Sequence, residues 1–258
     1  MDSPSRRLGT SDVAARIRVS EVKREADSWA ETEEEQAVRT AWVSSKKPLK
    51  VWQGGLNVSY DVHLKGCGRF VFKPKRGEQS LRNSIKVGTQ YRREAAAFRI
   101  DRALAFNLVP LTVVRDIEKE VGSAQSWVEA EGWVYDYLKA DQARLAVLDY
   151  ILGNTDRHVF NWRTQADGRP SAIDNGLCLP VDASEPLRSR WIHILRDKDL
   201  PDPVLKEVAF LTANRVSAIL NELGIEDAAI DGARRRLDEV QKNGKITLAA
   251  WKGGLRPS

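Results

Sequence analysis

The spacing of apolar and polar residues changes period along the first half of the chain. Residues 21–42 place apolar side chains at helical intervals opposite an acidic face, which predicts an amphipathic helix. A basic, proline-containing break at 44–50 follows. Apolar residues then alternate with polar ones over 58–64, glycines mark a turn at 65–68, and a second apolar run covers 69–73. This pattern predicts a β-hairpin.

Four further elements follow the hairpin. The alanine-rich stretch 89–106 keeps its larger apolar side chains near one face and predicts a helix. Residues 108–115 and 126–134 are typical of strands, and 140–152 predicts a buried helix that stops at Gly153. The first half therefore predicts a small antiparallel sheet with one helix lying across it.

The rest of the chain is predicted to be mainly helical. Helical periodicity covers residues 203–222 and 226–241, and a glycine separates these two segments. Strands followed by a run of helices are typical of the α+β class. The C-terminal residues 251–258 are expected to be mobile.

Composition indicates a globular protein. The chain has 258 residues, of which 42% are hydrophobic, so it can bury a substantial core. It lacks a run of about 20 apolar residues and the apolar segment of a secretory signal, so we expect a soluble, cytoplasmic protein. The two cysteines and three histidines are widely scattered, which indicates that any metal is bound through oxygen ligands.

Positive charge is concentrated in residues 73–102. This segment contains nine basic and three acidic residues, whereas the net charge of the whole chain is only +5. An anionic partner is one interpretation, but a solvated basic helix face is the more common origin of such a run. Nucleic acid is not expected, because the segment has few aromatic residues and matches no nucleic-acid-binding motif.

Two short segments after the buried helix carry the chemistry. Asp156 and Asn161 stand five residues apart, and Asp174 follows in a turn-forming context. Phosphoryl transfer needs one carboxylate to orient the attacking hydroxyl, and an asparagine and a second carboxylate to hold metal ions. Asp, Asn and Gly also dominate ordinary turns. Two such segments in this order favour the catalytic interpretation.

Upstream residues fit the same site. Lys73 ends the second predicted strand, where its ammonium can reach phosphates, and Glu94 lies on the next helix, where it can pair with Lys73. A glycine-containing stretch before the hairpin is a candidate phosphate-covering loop, although it lacks the G-x-G-x-x-G pattern and a plain turn explains it equally well. Its candidate contact residues are Gly54, Gly55, Asn57 and Ser59.

These segments resemble the phosphatidylinositol 3- and 4-kinase-like superfamily, particularly type II phosphatidylinositol 4-kinases, secretory-pathway casein kinases and related bacterial proteins. The likeness is carried by residues 148–162 and 172–180, and by the hairpin end at 71–78 and the helix at 91–104. It covers roughly residues 53–182 and leaves the N-terminal helix and the C-terminal helices unmatched.

The resemblance implies a two-lobed protein-kinase-like fold that uses ATP with Mg²⁺ or Mn²⁺. We expect residues 1–130 to form the N-terminal lobe and residues 131–258 the helical C-terminal lobe. The implied roles are phosphate binding by Lys73 with support from Glu94, catalysis by Asp156, and metal ligation by Asn161 and Asp174. The implied adenine-contacting connection comprises Gln125, Trp127, Val128 and Glu129.

The motifs also depart from those of protein kinases. Asp-Arg-His replaces His-Arg-Asp, Asp-Asn-Gly replaces Asp-Phe-Gly, and no long activation segment follows. The chemical class of the phosphate acceptor, whether protein, lipid or small molecule, therefore stays open. The leading hypothesis is transfer of the γ-phosphate of ATP to a hydroxyl of a protein or peptide. Alternatives are a phosphoinositide or small-molecule kinase, a nucleotide-binding pseudokinase, and an AMP-transferase.

Overall fold

The computed structural model describes residues 31–49, 57–129 and 136–256. The predicted Gly54 and Gly55 of the phosphate loop lie outside these ranges. The helices are α1 (Glu33–Thr40), α2 (Gln90–Leu104), α3 (Lys139–Leu152), α4 (Arg190–Leu195), α5 (Asp202–Ala209), α6 (Ala213–Glu222) and α7 (Asp227–Asn243). The strands are β1 (Val43–Pro48), β2 (Tyr60–Leu64), β3 (Gly68–Pro74), β4 (Thr112–Ile117), β5 (Glu120–Ser126), β6 (Trp162–Thr164), β7 (Pro170–Ala172), β8 (Leu187–Arg188) and β9 (Leu255–Arg256).

The first five strands form one antiparallel sheet in the order β1-β2-β3-β5-β4. The predicted hairpin is present as β2 and β3, with Tyr60 opposite Phe72. Apolar side chains alternate along both strands and point into one buried cluster, as period-2 patterning requires. The sheet, its helix and the helices after it confirm the α+β, two-lobed kinase-like fold class.

The predicted break at 44–50 is wrong, because Val43–Pro48 forms the edge strand β1 and pairs with β2. Lys46 stabilises this edge: its ammonium lies 3.0 and 3.1 Å from Glu118 and Glu120. The strand is polar because it lies at the edge of the sheet, where charged residues and proline are favoured. A hydrophobic-pattern search does not recognise such a strand.

The two strands predicted at 108–115 and 126–134 are displaced in the structure. They lie at Thr112–Ile117 and Glu120–Ser126. The turn between them places Glu118 and Lys119 at φ angles of 56° and 66°, a left-handed conformation that usually takes glycine or asparagine. Because the turn contains neither residue, the sequence pattern gives no hairpin signal there.

Two helical predictions also need correction. The segment predicted as one helix over 203–222 is divided into α5 and α6, and the Thr212 side chain caps the second by accepting the Arg215 N–H. The first predicted helix ends at Thr40, and residues 21–30 lie outside the described ranges. A capping box formed by Thr32 and Glu35 begins the described part of that helix. Helix α4 was not predicted.

Helix α2 is bound to both its neighbours. Its alanine face, with Ile100 fully buried, packs into the same cluster of apolar side chains as α3. On another face Arg99 contacts the buried Glu35 of α1 at 3.4 Å and Glu222 of α6 at 2.7 Å. Arg93, whose side chain is fully buried, pairs with Glu226 at 2.9 Å. These contacts fix the position of α2 relative to the helical region.

No helix in the part of the chain that the structure describes is both long enough and apolar enough to cross a membrane.

A buried carboxyl at the end of α2 leads to a pH-dependent prediction. Asp101 accepts the Leu108 and Val109 amides at 2.8 and 3.0 Å, and burial raises its pKa to about 7. A carboxyl whose pKa is raised on folding releases its proton more readily when unfolded, so stability falls as pH rises from about 4 to about 7. Asp101→Asn should therefore stabilise the protein at pH 8 relative to the parent, but not at pH 4.

Each unit of pKa difference corresponds to about 1.4 kcal/mol. The difference in free energy of unfolding between the variant and the parent should therefore change by about 2–4 kcal/mol across this pH range. Urea unfolding at a series of pH values measures it. If this difference in free energy of unfolding stayed constant with pH, Asp101 would be ionised equally in the folded and unfolded states.

Candidate active site

The end of α3 positions Asp156. The helix stops at Gly153, whose φ of 61° suits a left-handed C-cap. Asn154 Oδ1 then accepts the Asp156 N–H at 2.8 Å, while Thr155 donates both its N–H and its hydroxyl to the Leu177 carbonyl. These bonds turn the chain sharply and hold the Asp156 carboxylate at the surface of the helical region, with 20% of its side chain exposed.

The short hairpin β6–β7 brings Asn161 and Asp174 together. Trp162 lies opposite Ala172, so the residues flanking this pair, Asn161 and Ile173, also meet, and the Ile173 N–H donates to the Asn161 carbonyl at 3.1 Å. The Asn161 side-chain amide donates to the Asp156 carbonyl at 2.8 Å. The three residues predicted for catalysis and metal binding therefore lie within one connected loop cluster.

A buried ion pair that was not predicted from the sequence lies beneath this cluster. Arg157 and Asp149 are fully buried, with Nε and Oδ1 3.0 Å apart. The same guanidinium donates to the Asn161 and Ile173 carbonyls at 2.6 Å each and to the Asn175 side chain. Arg157 thus joins both loops. Its position next to the candidate catalytic aspartate was the available signal, but a lone arginine is more often a surface residue.

Across the cleft, Lys73 contacts its predicted partner Glu94 and also Asp174, which was predicted as a metal ligand. Its ammonium lies 2.5 Å from Glu94 and 2.7 Å from Asp174. Burial lowers the pKa of Lys73, but Asp174 and Glu94 outweigh it and raise the pKa above its ordinary value. The Lys73 charge in turn lowers the pKa of Asp174. The Lys73 ammonium and the Asp174 carboxylate are therefore charged at neutral pH.

Glu94 connects the lysine to the segment after Asp174. One of its oxygens accepts from Lys73, and the other accepts the Asn175 N–H at 2.8 Å. Asp174 has a φ of 56°, which is uncommon for a residue other than glycine and is found preferentially at functional sites. A Cβ at Gly176 would lie 3.3 Å from Gln90 Cβ, so glycine allows this turn to approach α2 closely.

The predicted phosphate loop is described only from residue 57. The Asn57 amide donates to the Gln90 side chain at 2.7 Å, and its oxygen accepts the Gln79 N–H at 2.8 Å. The side chain therefore attaches the end of the loop to α2. Ser59 is buried, and its carbonyl accepts the Leu49 N–H at 2.9 Å. Phosphate contacts from Asn57 and Ser59 stay a prediction.

The predicted adenine-contacting segment leaves the sheet at the end of β5. The Gln125 side chain donates to the Thr112 hydroxyl at 2.9 Å, and the Trp127 N–H donates to the Arg69 carbonyl at 2.9 Å. The Arg69 guanidinium also stacks on the Trp127 ring, 3.5 Å from its centroid. These groups have protein partners already. Adenine contacts from this segment, including Val128 and Glu129, stay a prediction.

The oxygen ligands at the cleft fit a hard divalent cation. Asp174 exposes 53% of its side chain, and Asn161 can offer its amide oxygen while its NH₂ group donates to Asp156. In residues 31–49, 57–129 and 136–256, no group of three His, Cys, Asp or Glu side chains is arranged to hold a metal ion. Such a small protein donor set suits Mg²⁺, which is usually bound by one or two carboxylates plus substrate phosphates.

Most of the basic run at 73–102 is neutralised by acids from elsewhere in the chain. Arg76 pairs with Glu120, and three arginines of α2, Arg93, Arg99 and Arg102, pair with Glu35, Glu222 and Glu226. Arg82 differs, because it reaches the Asp156 carboxylate at 3.0 Å. The interpretation of the basic run as a solvated helix face is therefore wrong for Arg93 and Arg99, whose charges are buried in ion pairs within the protein.

In this site a strand lysine pairs with a helix glutamate, and both face a cluster of two aspartates and one asparagine on the helical region. This arrangement is that of a kinase-like protein. Residues 115–189 match the sequence profile of the family described as "Phosphatidylinositol 3- and 4-kinase". This confirms the resemblance recognised from the sequence: residues 115–189 are similar to the phosphatidylinositol 3- and 4-kinase family.

Similar proteins include two curated proteins and, among solved structures, a bacterial kinase. Protein Rv2133c of Mycobacterium tuberculosis is 29% identical over 215 residues, which cover 66% of this chain and 75% of that protein. Phosphatidylinositol 4-kinase gamma 5 of Arabidopsis thaliana is 27% identical over 150 residues, covering 45% of this chain and only 24% of the plant protein. The structure of the Helicobacter pylori proinflammatory kinase CtkA covers 78% of this chain and 93% of its own at 11% identity, with a TM-score of 0.46.

Proposed function

We propose that this protein is an ATP-dependent kinase that transfers the γ-phosphoryl group to a hydroxyl of a protein or peptide. The observation that carries the proposal is the contact of one lysine with two acids from different parts of the fold. Lys73 bridges Glu94 and Asp174, and hydrogen bonds connect Asp174 through Ile173 to the loop of Asp156. Positioning and charge stabilisation are what phosphoryl transfer requires of a protein.

ATP bound with Mg²⁺ or Mn²⁺ would supply the phosphoryl donor and neutralise its negative charge. Asn161 and Asp174 would hold the cation, and Lys73 would contact the phosphates while Glu94 fixes its position. The proposed nucleotide contacts also include the loop at 54–59 and the segment 125–129. The lobe boundary near residue 130 and a cytoplasmic location belong to the same proposal.

Asp156 would orient the acceptor and take its proton. The acceptor oxygen forms a bond to the γ-phosphorus as the bond from that phosphorus to the β–γ bridging oxygen breaks, so ADP leaves. The hydroxyl proton passes to the Asp156 carboxylate and then to solvent. His158 Nε2 lies 3.7 Å from this carboxylate, and burial lowers the His158 pKa, so the ring is neutral at pH 7.

A phosphoinositide acceptor is the second candidate, favoured by the match to a plant protein named a phosphatidylinositol 4-kinase. Labelled ATP offered separately with protein substrates and with phosphatidylinositol vesicles distinguishes the two. Intact-mass analysis of modified products also separates phosphoryl transfer from AMP transfer.

Asp174→Asn tests the proposed metal site. The variant removes the charge that would bind the cation, so metal-dependent ATP affinity should fall at least about tenfold and transfer should be lost. Titration calorimetry with ATP, with and without Mg²⁺, measures the binding. Asp238→Asn is the matched control, because Asp238 is an exposed acid on α7 paired with Lys242. Equal metal-dependent binding by Asp174→Asn and the parent would refute the assignment.

A further inference from the structure

Three arginines from separate segments meet at Thr155 and Asp156. Arg82 Nη2 and Arg188 Nη1 lie 3.0 and 3.3 Å from the same carboxylate oxygen of Asp156. Arg256 Nη2 donates to the Thr155 carbonyl at 3.2 Å. Two guanidinium groups therefore contact the candidate catalytic carboxylate, and a third contacts the carbonyl of the preceding residue. We call these three arginines the arginine cluster.

The cluster depends on a strand pair that places like charges side by side. β8 and β9 are parallel, with Leu187 opposite Leu255 and Arg188 opposite Arg256. Leu187 is fully buried, so the leucines hold the pair on the core while the arginines reach the Asp156 loop. Like charges at directly opposite positions destabilise a strand pair. An anion bound between them would offset that cost.

The acids described around the cluster do not balance it. Glu185 lies 3.4 Å from Arg82, but its other carboxylate oxygen accepts the Ser84 hydroxyl and N–H at 3.0 and 3.1 Å. One oxygen of Asp156 is shared by two arginines. Arg188 Nε is buried and has no hydrogen-bond partner among the described residues. The cluster therefore has one unused donor and excess positive charge next to Asp156.

We propose that Arg82, Arg188 and Arg256 bind a carboxylate or phosphate beside the accepting hydroxyl of a peptide, so that the protein selects acidic or phosphorylated segments. This inference rests on the proposed kinase function. Bidentate recognition of carboxylate and phosphate is the chemistry for which arginine is suited. In the absence of an acceptor the Asp156 carboxylate occupies these donors. An acceptor anion takes over the guanidinium contacts, which frees Asp156 to accept the hydroxyl proton.

The position of the arginines favours a peptide over a lipid surface. The Arg82 and Arg188 side chains are recessed, with 19% and 29% of their surface exposed. A side chain extending from a peptide can reach them there. Basic segments that bind anionic membranes instead act through charges close to the bilayer surface.

Matched serine peptides test this specificity. One series carries glutamate or phosphoserine near the acceptor serine, a second carries glutamine, and a third carries lysine. The parent should show kcat/KM at least about tenfold higher for the acidic peptides, since a charge-assisted hydrogen bond contributes about 1.5–3 kcal/mol. Arg188→Gln and Arg256→Gln should each reduce this ratio several-fold, and Arg188→Glu should shift the preference toward the lysine peptide.

Arg234→Gln is the control, because Arg234 lies on α7 and pairs with Asp231 within the same helix. It should keep the full acidic preference. Thermal unfolding of every variant checks that the fold is intact, and inorganic phosphate should compete with the acidic peptide in the parent more strongly than in Arg188→Gln.

The outcomes separate the two proposals. Metal-dependent transfer with equal kcat/KM for acidic and neutral peptides would overturn the arginine cluster while the kinase function stands. So would preferential transfer to anionic lipid vesicles over every peptide. Absence of metal-dependent ATP turnover with any acceptor would overturn both.

Discussion

Asp156→Asn is expected to lower the rate of phosphoryl transfer by about 10²–10⁴-fold, the range typical of losing a general base. Asparagine keeps nearly the size of the side chain and its acceptor oxygen, but it does not take a proton. KM for ATP should change little, because Asp156 contacts Arg82 and Arg188 rather than Lys73, the proposed phosphate ligand. Steady-state kinetics with labelled ATP and a peptide acceptor measure both quantities.

The variant also loses a charged partner of Arg82 and Arg188, so its stability must be measured alongside its rate. Asp182→Asn is the matched control, since Asp182 is an acid that accepts from Ser184 in a surface turn. Its rate should equal that of the parent. A folded Asp156→Asn protein with parental kcat would contradict the role proposed for this carboxylate.

Asp149→Ala should destabilise the protein strongly, by about 3–5 kcal/mol. Removing one partner of a buried ion pair leaves the other charge buried without compensation. Arg157 would lose its carboxylate partner although its bonds to the Asn161 and Ile173 carbonyls remain. Because Asp149 fixes the guanidinium that donates those bonds, its loss should also displace the two loops of the candidate site, and activity should fall before the chain unfolds. Urea unfolding monitored by tryptophan fluorescence gives the free energy of unfolding.

Two comparisons test the cause of this loss. Asp238→Ala breaks an exposed pair with Lys242 and should cost less than about 1 kcal/mol. The double variant Asp149→Leu, Arg157→Met removes both buried charges and should be more stable than Asp149→Ala, although the loops lose their common donor. A loss below about 1 kcal/mol for Asp149→Ala would mean that water reaches the Arg157 guanidinium.

The parts of the site that could be predicted from sequence depend on local spacing. The five-residue separation of Asp156 and Asn161 follows from one short turn, and the ion pair between Lys73 and Glu94 follows from a strand that leads into a helix. The family recognition rests on the same segments and is confirmed by the profile match. The chemical roles of these residues stay predictions.

The parts that could not be predicted depend on distant pairing. Arg188 and Arg256 are neighbours only because two-residue strands pair in parallel, although the two arginines stand 68 positions apart in the chain. Arg82 contacts Asp156 across a comparable separation. Strands this short have no periodicity to detect, and single arginines have no sequence pattern that indicates their partner. The edge strand β1 was missed for the related reason that its residues are polar.

The anchoring of α2 has a consequence for control of the enzyme. In a kinase whose glutamate-bearing helix moves, activity can be switched by displacing that helix. Here Arg93 and Arg99 hold the helix to Glu226 and Glu222 beyond the catalytic loops. Moving Glu94 away from Lys73 would require breaking an ion pair whose arginine is fully buried, so the proposed kinase should already be assembled for catalysis in its resting state. Control would then act on the supply of nucleotide or on access of the acceptor.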